Sequence, residues 1–279
     1  MHPRRGPSMG LLSKVQRSEL DSGFKVAKAK LDTHPGQGPF VIASKTSQAA
    51  FDAWDDDETA AWGIGYDSLA QNVLLYGDTG FTHACLSGYF TQAIAGELCS
   101  LSWEIAGITF ENSTLEQRRQ AGRALGRPRG YGRTTMYTDR GARSPDSSFY
   151  GGKISCGRSL VIEVAHGNES FQALQKEIKW WHAAGVSMVL GVWVDVNSEV
   201  TDPNLILLSQ TQESHTMRQK PFGHASGCTQ LGLPDFQLEI PVNLLLNHDS
   251  PEVLNKCINL DLYEMQQDII EFLKQSADF

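Results

Sequence analysis

Nowhere does this chain offer the roughly 20 consecutive apolar residues that a membrane-spanning helix needs. Its opening stretch, MHPRRGPSMGLLSKVQRSEL, carries basic residues but lacks the apolar segment of about 7–15 residues that marks a secretory leader. The expectation is therefore a soluble intracellular protein, cytoplasmic or nuclear, with no membrane association. Cysteine is sparse too. Cys85, Cys99, Cys156, Cys228 and Cys257 are odd in number, scattered and without any C-x-x-C spacing, which argues against a disulfide framework or a zinc ribbon and for buried, reduced thiols. Internal repeats are absent, and no small-molecule cofactor is expected. What remains is 279 residues, 41% hydrophobic and 9% aromatic, enough to bury a full core as one domain or as one domain with appendages.

A net charge of -8 speaks against indiscriminate nucleic-acid binding, yet the charge is unevenly spread. Between Gln117 and Arg143 eight arginines face one acid, Asp139, so that this segment carries +7 and the rest of the chain -15. Such an arm could lie along a phosphate backbone and release its counterions, with Arg127, Arg129 and Arg133 as the candidate contacts. A solvated loop, loosened by Gly122, Gly126, Pro128, Gly130 and Gly132, is the equal alternative.

Hydrophobic periodicity gives the outline. Residues 1–47 are polar, contain a PGQGP turn cluster, and read as a partly disordered amino-terminal arm. The acidic run Asp55 to Glu58, between Trp54 and Trp62, reads as an anchored loop. Asn72 to Tyr76 is extended, Thr82 to Leu98 is helical with His83 and Glu97 on similar faces, and Leu101 to Phe110 alternates as a strand would. In the strand around Glu163, Leu160, Ile162 and Val164 share one face while Val161, Glu163 and Ala165 share the other. A carboxylate between apolar neighbours is costly to bury without a partner or a metal. Asp146 precedes it by a distance that suits a hairpin, so the two could hold one divalent cation at the open edge of a sheet.

The helix expected from Glu169 to Ala184 sets Phe171, Leu174, Ile178 and Trp181 on one face; Gly185 ends it, and Val186 to Val194 follows as a strand buried on both sides. The strands on either side of this helix should be parallel neighbours. Leu205 to Leu208 and Phe236 to Ile240 are further strands, and Leu262, Met265, Ile269 and Leu273 mark a final packed helix.

The tripeptide SPD, the strand LVIEVA, the NES after it, the passage IKWWHAAGVSMVLGVWVD and the closing LGLPDFQLEIPVNLL together resemble the PD-(D/E)XK nuclease superfamily, over roughly residues 60–246. Within it the likeness is to the restriction-endonuclease family of bacteria and related uncharacterised fungal proteins. The resemblance implies an α/β (α+β mixed) restriction-endonuclease-like sandwich with a central mixed sheet flanked by helices. It implies Asp146 and Glu163 as ligands of Mg²⁺ or Mn²⁺, with the Val164 carbonyl as a further ligand, and hydrolysis of DNA phosphodiester bonds. The superfamily's lysine, expected two residues after Glu163, is replaced by Ala165, and the alternative lysine position on the following helix holds Glu177. Lys176 and Lys179 are the candidates for that role, although helical geometry sets Lys176 opposite the apolar stripe.

The resulting expectation is an amino-terminal arm (1–47), a nuclease-like domain (48–250) and a carboxy-terminal helical extension packed on it (251–279). Its function would be metal-dependent DNA hydrolysis, or, if the site has lapsed, nucleic-acid or protein binding on a nuclease fold. DNA and a second copy of the chain are the partners in view.

Overall fold

The computed structural model describes residues 13–33, 40–54, 63–67, 70–77, 81–125, 129–132, 136–138, 140–150, 159–166, 170–195, 203–246 and 250–277. Helix ends are written into the sequence as local hydrogen bonds. Ser13 and Gln16 form a reciprocal capping box, with Gln16 N–H donating to Ser13 Oγ (3.2 Å) and Ser13 N–H to Gln16 Oε1 (3.3 Å), and start α1 (Lys14–Thr33). Thr114 and Gln117 repeat the device at α4 (Leu115–Leu125). At the other end, α3 (Phe81–Ala106) stops at Gly107, whose φ of 65° only glycine adopts freely; Gly107 N–H donates to Glu104 O and Ile108 N–H to Trp103 O. Gly185 (φ 88°) closes α5 (Phe171–Ala183) in the same way.

The chain divides into two compact units. The first comprises Met1–Gly80, Thr135–Ser144 and Asn168–Ser170. Its antiparallel sheet runs in the order β1 (Phe40–Ala43), β3 (Asn72–Gly77), β2 (Gly63–Asp67), β6 (Gly141–Arg143), β5 (Met136–Thr138). Leu20, Ala27 and Leu31 of α1 pack with Ile42, Phe51, Trp54, Tyr66 and Leu75. Phe51 and Trp54 come from α2 (Gln48–Trp54), and the Trp54 indole donates to Asp21 at 2.8 Å. Residues 14–33 and 40–43, expected within a loose arm, thus supply a helix and a strand to this core, because the apolar positions of α1 are spaced to cover a sheet face. Asp55 to Glu58 and Trp62 lie outside the described residues.

The second unit comprises Phe81–Thr134, Pro145–Gly167 and Phe171–Phe279. Its six-stranded sheet has the order β11 (Ser214–Pro221), β10 (Asn204–Thr211), β9 (Met188–Asp195), β8 (Ser159–His166), β7 (Ser147–Tyr150), β4 (Arg129–Gly132). Only β8 and β9 are parallel, joined through α5 as a strand–helix–strand crossover; the other pairs are antiparallel. The sheet is therefore mixed, and helices cover it. Leu160, Ile162 and Val164 of β8 belong to one core with Leu86, Phe90, Ile94 and Leu98 of α3, while α5 packs on β8 and β9 from the opposite face.

Three expectations change here. Leu101 to Phe110 is not a strand: the buried series Leu86, Phe90, Ile94, Leu98, Leu101 is helical in spacing and carries α3 on to Ala106. Residues 251–277 are not a separate helical extension, since β13 (Cys257–Asp261) pairs with β12 (Gln237–Pro241) and Met265, Ile269 and Leu273 of α7 (Leu262–Ala277) join the common core. The thiols are not uniformly buried, for Cys99 and Cys257 are exposed and only Cys228 is fully enclosed among those described. No helix among the described residues is long and apolar enough to cross a membrane.

Close approach of α1 to β1 depends on one glycine. A Cβ built on Gly23 would stand 1.9 Å from the Ile42 carbonyl oxygen, a backbone atom that cannot turn aside. Gly23→Ala is expected to destabilise the first unit by about 3 kcal/mol or more, at the upper end of overpacking effects, despite the better helix propensity of alanine. Chemical denaturation monitored by hydrogen exchange within residues 14–33 measures it, and wild-type protection there would refute the close packing.

Candidate functional site

Strand register builds the site. Ser147 of β7 lies opposite Ile162 of β8, so Asp146, one residue before the strand, falls opposite Glu163 and on the same face. Asp146 is held there by its own hydrogen bond, Oδ2 accepting from Val164 N–H at 2.8 Å. On the other side, Glu163 lies beside Gly191 of β9. A Cβ on Gly191 would come within 2.4 Å of Ile178 Cδ1, so its absence lets α5 settle on the sheet. That contact carries Trp181, one turn beyond Ile178, over β8, where its indole N–H donates to Glu163 Oε1.

The electrostatics are severe. Burial pushes the Glu163 carboxyl well above its ordinary value of 4.5, and the neighbouring charges of Asp146 and Glu177 push it further; the Trp181 hydrogen bond opposes them, and a hydrogen bond with Asp146 adds to the rise. Although part of the Glu163 side chain reaches the surface, its carboxyl is enclosed. Burial and the neighbouring negative charge favour the protonated form of Glu163 unless a cation takes the place of its proton. The site lies inside the sheet and not at an open edge, because β8 sits between β9 and β7 and β7 is in turn covered by β4. Among the described residues no group of three or more His, Cys, Asp or Glu side chains could hold a metal ion, so any such centre would need the pair together with backbone oxygen.

Lys176 and Lys179 do not join this arrangement. Both are exposed, because 100° per residue turns them away from the buried stripe Leu174, Ile178, Trp181. The half-buried Glu177 lies beside that stripe instead, and Ala165 is buried and paired with Trp193. The described part of the arginine segment is helix and strand rather than loop. Arg118, Arg119 and Arg123 lie on α4, which the Thr114–Gln117 capping box announces. Arg127 and Arg133 fall outside the described residues. Arg129 is the first residue of β4, and since Gly132 pairs with Ser147, Arg129 sits at the far end of that strand, about 10 Å along it from the residue beside Asp146. Sequence reasoning assigned Trp181 to core packing and overlooked its donor; the signal was its place one turn after Ile178 on the face that meets Glu163.

No family model and no curated protein matches the chain. Among solved structures, a protein of Anabaena variabilis ATCC 29413 described as a putative nuclease belonging to DUF820 aligns with 74% of this chain and 90% of its own at 10% identity, with a TM-score of 0.40. At a similarity this low, what the site does has to be read from its own residues.

Glu163 carries a testable pH signature. Its folded-state pKa is raised, so the folded chain binds more protons than the unfolded chain above about pH 4.5, and stability falls as pH rises from there through the folded value. Glu163→Gln can donate to Asp146 and accept from Trp181 without a charge. It is expected to stabilise the protein at pH 8 by about 1–3 kcal/mol and to have little effect near pH 4. Urea unfolding at the two pH values decides; an equal effect at both would mean that Glu163 is not held protonated.

Proposed function

We propose that the Asp146 and Glu163 pair is the divalent-cation site of a PD-(D/E)XK-type nuclease that hydrolyses phosphodiester bonds of DNA. The observation that carries this reading is the contact of two carboxyl groups from neighbouring strands, made by strand register and fixed by two separate donors, Val164 N–H and the Trp181 indole. Such a pair spends free energy on mutual repulsion that Mg²⁺ or Mn²⁺ relieves. The Val164 carbonyl fits as a further ligand: in a strand the N–H and C=O of one residue point to the same side, and the Val164 N–H points at Asp146. When bound, a divalent cation would supply a nucleophilic water at neutral pH and polarise the phosphoryl oxygen. The chain's own residues hold the carboxylates in place, Trp181 orienting Glu163 and Val164 N–H orienting Asp146. With Ala165 where the superfamily has lysine, and Lys176 and Lys179 exposed on the helix, turnover is expected to be slow.

One observation favours a second reading, a nuclease fold whose catalysis has lapsed and which serves in binding. Both helix lysines face away from the carboxylates, and Glu177, at the position where a lysine would serve, adds negative charge beside Glu163.

Two measurements separate these. Purified protein with Mg²⁺ or Mn²⁺ is expected to nick plasmid DNA, and Asp146→Ala and Glu163→Ala are each expected to abolish the activity; cleavage that survives both variants would remove the pair from the reaction. Mn²⁺ binding measured by calorimetry should tighten from pH 6 to pH 8, by at most about tenfold per unit, since the cation must displace the proton held on Glu163. Binding without cleavage would favour the lapsed reading, and no binding at either pH would end the cation-site reading.

A further inference from the structure

Three of the seven large hydrophobic side chains that stand exposed among the described residues fall close together in the chain: Ile105 (45%) in the last turn of α3, Phe110 (60%) in the connection and Leu115 (58%) at the start of α4. An apolar patch with that local density marks an interaction surface more often than isolated exposed residues do. Phe110 is its centre. The Arg118 guanidinium lies 4.1 Å from the Phe110 ring centroid, and the Trp103 ring centroid is 6.1 Å from it, tilted by 48°. Two donors at this spot, Trp103 Nε1–H and Arg118 Nε–H, are buried with no acceptor among the described residues. Arg119 and Arg123 are exposed on α4 and four residues apart, which sets them about 5–6 Å from each other on one helical face. Exposed acids nearby are Glu111, hydrogen-bonded to Thr109, and Glu116, which accepts from Gln120, while Glu104 is paired with Lys256 at 3.0 Å; the three arginines outnumber the two acids that have no lysine partner in a chain whose net charge is -8.

An exposed ring with one guanidinium against it and two more on the same helix suits an unpaired base and its phosphates. A duplex presents only base edges in its grooves, so a ring on the protein surface gains little from it, whereas a single strand presents base faces that stack. We propose that the corner formed by Phe110, Arg118, Arg119 and Arg123 binds single-stranded nucleic acid, with one base stacked on Phe110 and adjacent phosphates held by Arg119 and Arg123. The proposal deepens the nuclease reading, by naming an unpaired strand as what the protein holds, and rests on it for that purpose; the binding itself needs no divalent metal.

The test is fluorescence anisotropy with the full chain in EDTA, using a labelled oligothymidylate of about 20 nucleotides and a duplex of equal length, between about 50 and 200 mM salt. The single strand should bind more tightly than the duplex. Phe110→Ala should weaken it by about 5- to 100-fold and Phe110→Trp should keep it, while Arg119→Gln with Arg123→Gln should lower the log–log salt slope by about 1.4. No binding by the wild-type chain, preference for the duplex, or wild-type affinity in Phe110→Ala would overturn the proposal. Single-strand binding in EDTA without any cleavage once Mg²⁺ or Mn²⁺ is added strikes the carboxylate reading and leaves this surface standing.

Discussion

Helix α5 packs on β8 and β9 with the end of the Ile178 side chain in the space that a side chain at Gly191 would take. Burial of Leu174, Ile178 and Trp181 follows from that approach, and so does the reach of the Trp181 indole to Glu163. Were α5 held even an ångström or two farther out, Glu163 would lose the donor that offsets part of its charge, while Asp146 would still face it across the β7–β8 ladder. The position of one helix therefore decides how tightly the acidic pair is confined. A parallel pair of strands buried on both faces, joined by a helix that stops at a Schellman glycine, leaves the chain few other ways to place Trp181.

The same packing explains why the pair is costly. Enclosing two carboxyls beneath a helix raises the free energy of ionising both, and Glu177 on that helix adds to the cost. The arginines of α4 stand on a different element, where long-range attraction for a polyanion carries no such penalty.

Legibility from the sequence tracked how local the cause was. The two faces of β8, the apolar stripe of α5, the stop at Gly185 and the parallel β8–β9 pairing could all be read, because period and cap chemistry report them directly. Opposition of Asp146 to Glu163 was inferable from a hairpin-compatible spacing, although the position of β7 within the sheet was not, since strand order is set by long-range packing. Leu101 to Phe110 misled because a short stretch can satisfy period 2 and period 3.6 alike, and only the long series from Leu86 resolves it. Residues 14–33 looked too polar to fold, yet three buried side chains and a glycine aimed at a carbonyl suffice to dock α1. The rotation of Lys176 away from the apolar stripe was already readable from helical geometry, whereas the arginine segment was weighed by its charge and its glycines while its capping box went unnoticed.

Continuity of the first unit has a consequence for how the chain must assemble. Its sheet runs through β1, β3 and β2 and then needs β6 and β5, which lie beyond the whole of α3 and α4 in sequence. Pairing of Tyr66 with Ala142 closes a loop of more than seventy residues. Contacts that distant are slow to form and exact a large loop-closure entropy. During synthesis on the ribosome the edge of β2 stays unpaired until Gly141 emerges, exposing an open strand for several seconds at ordinary elongation rates. Truncating the chain before that point would leave this edge permanently available, so the amino-terminal third is a poor candidate for expression by itself.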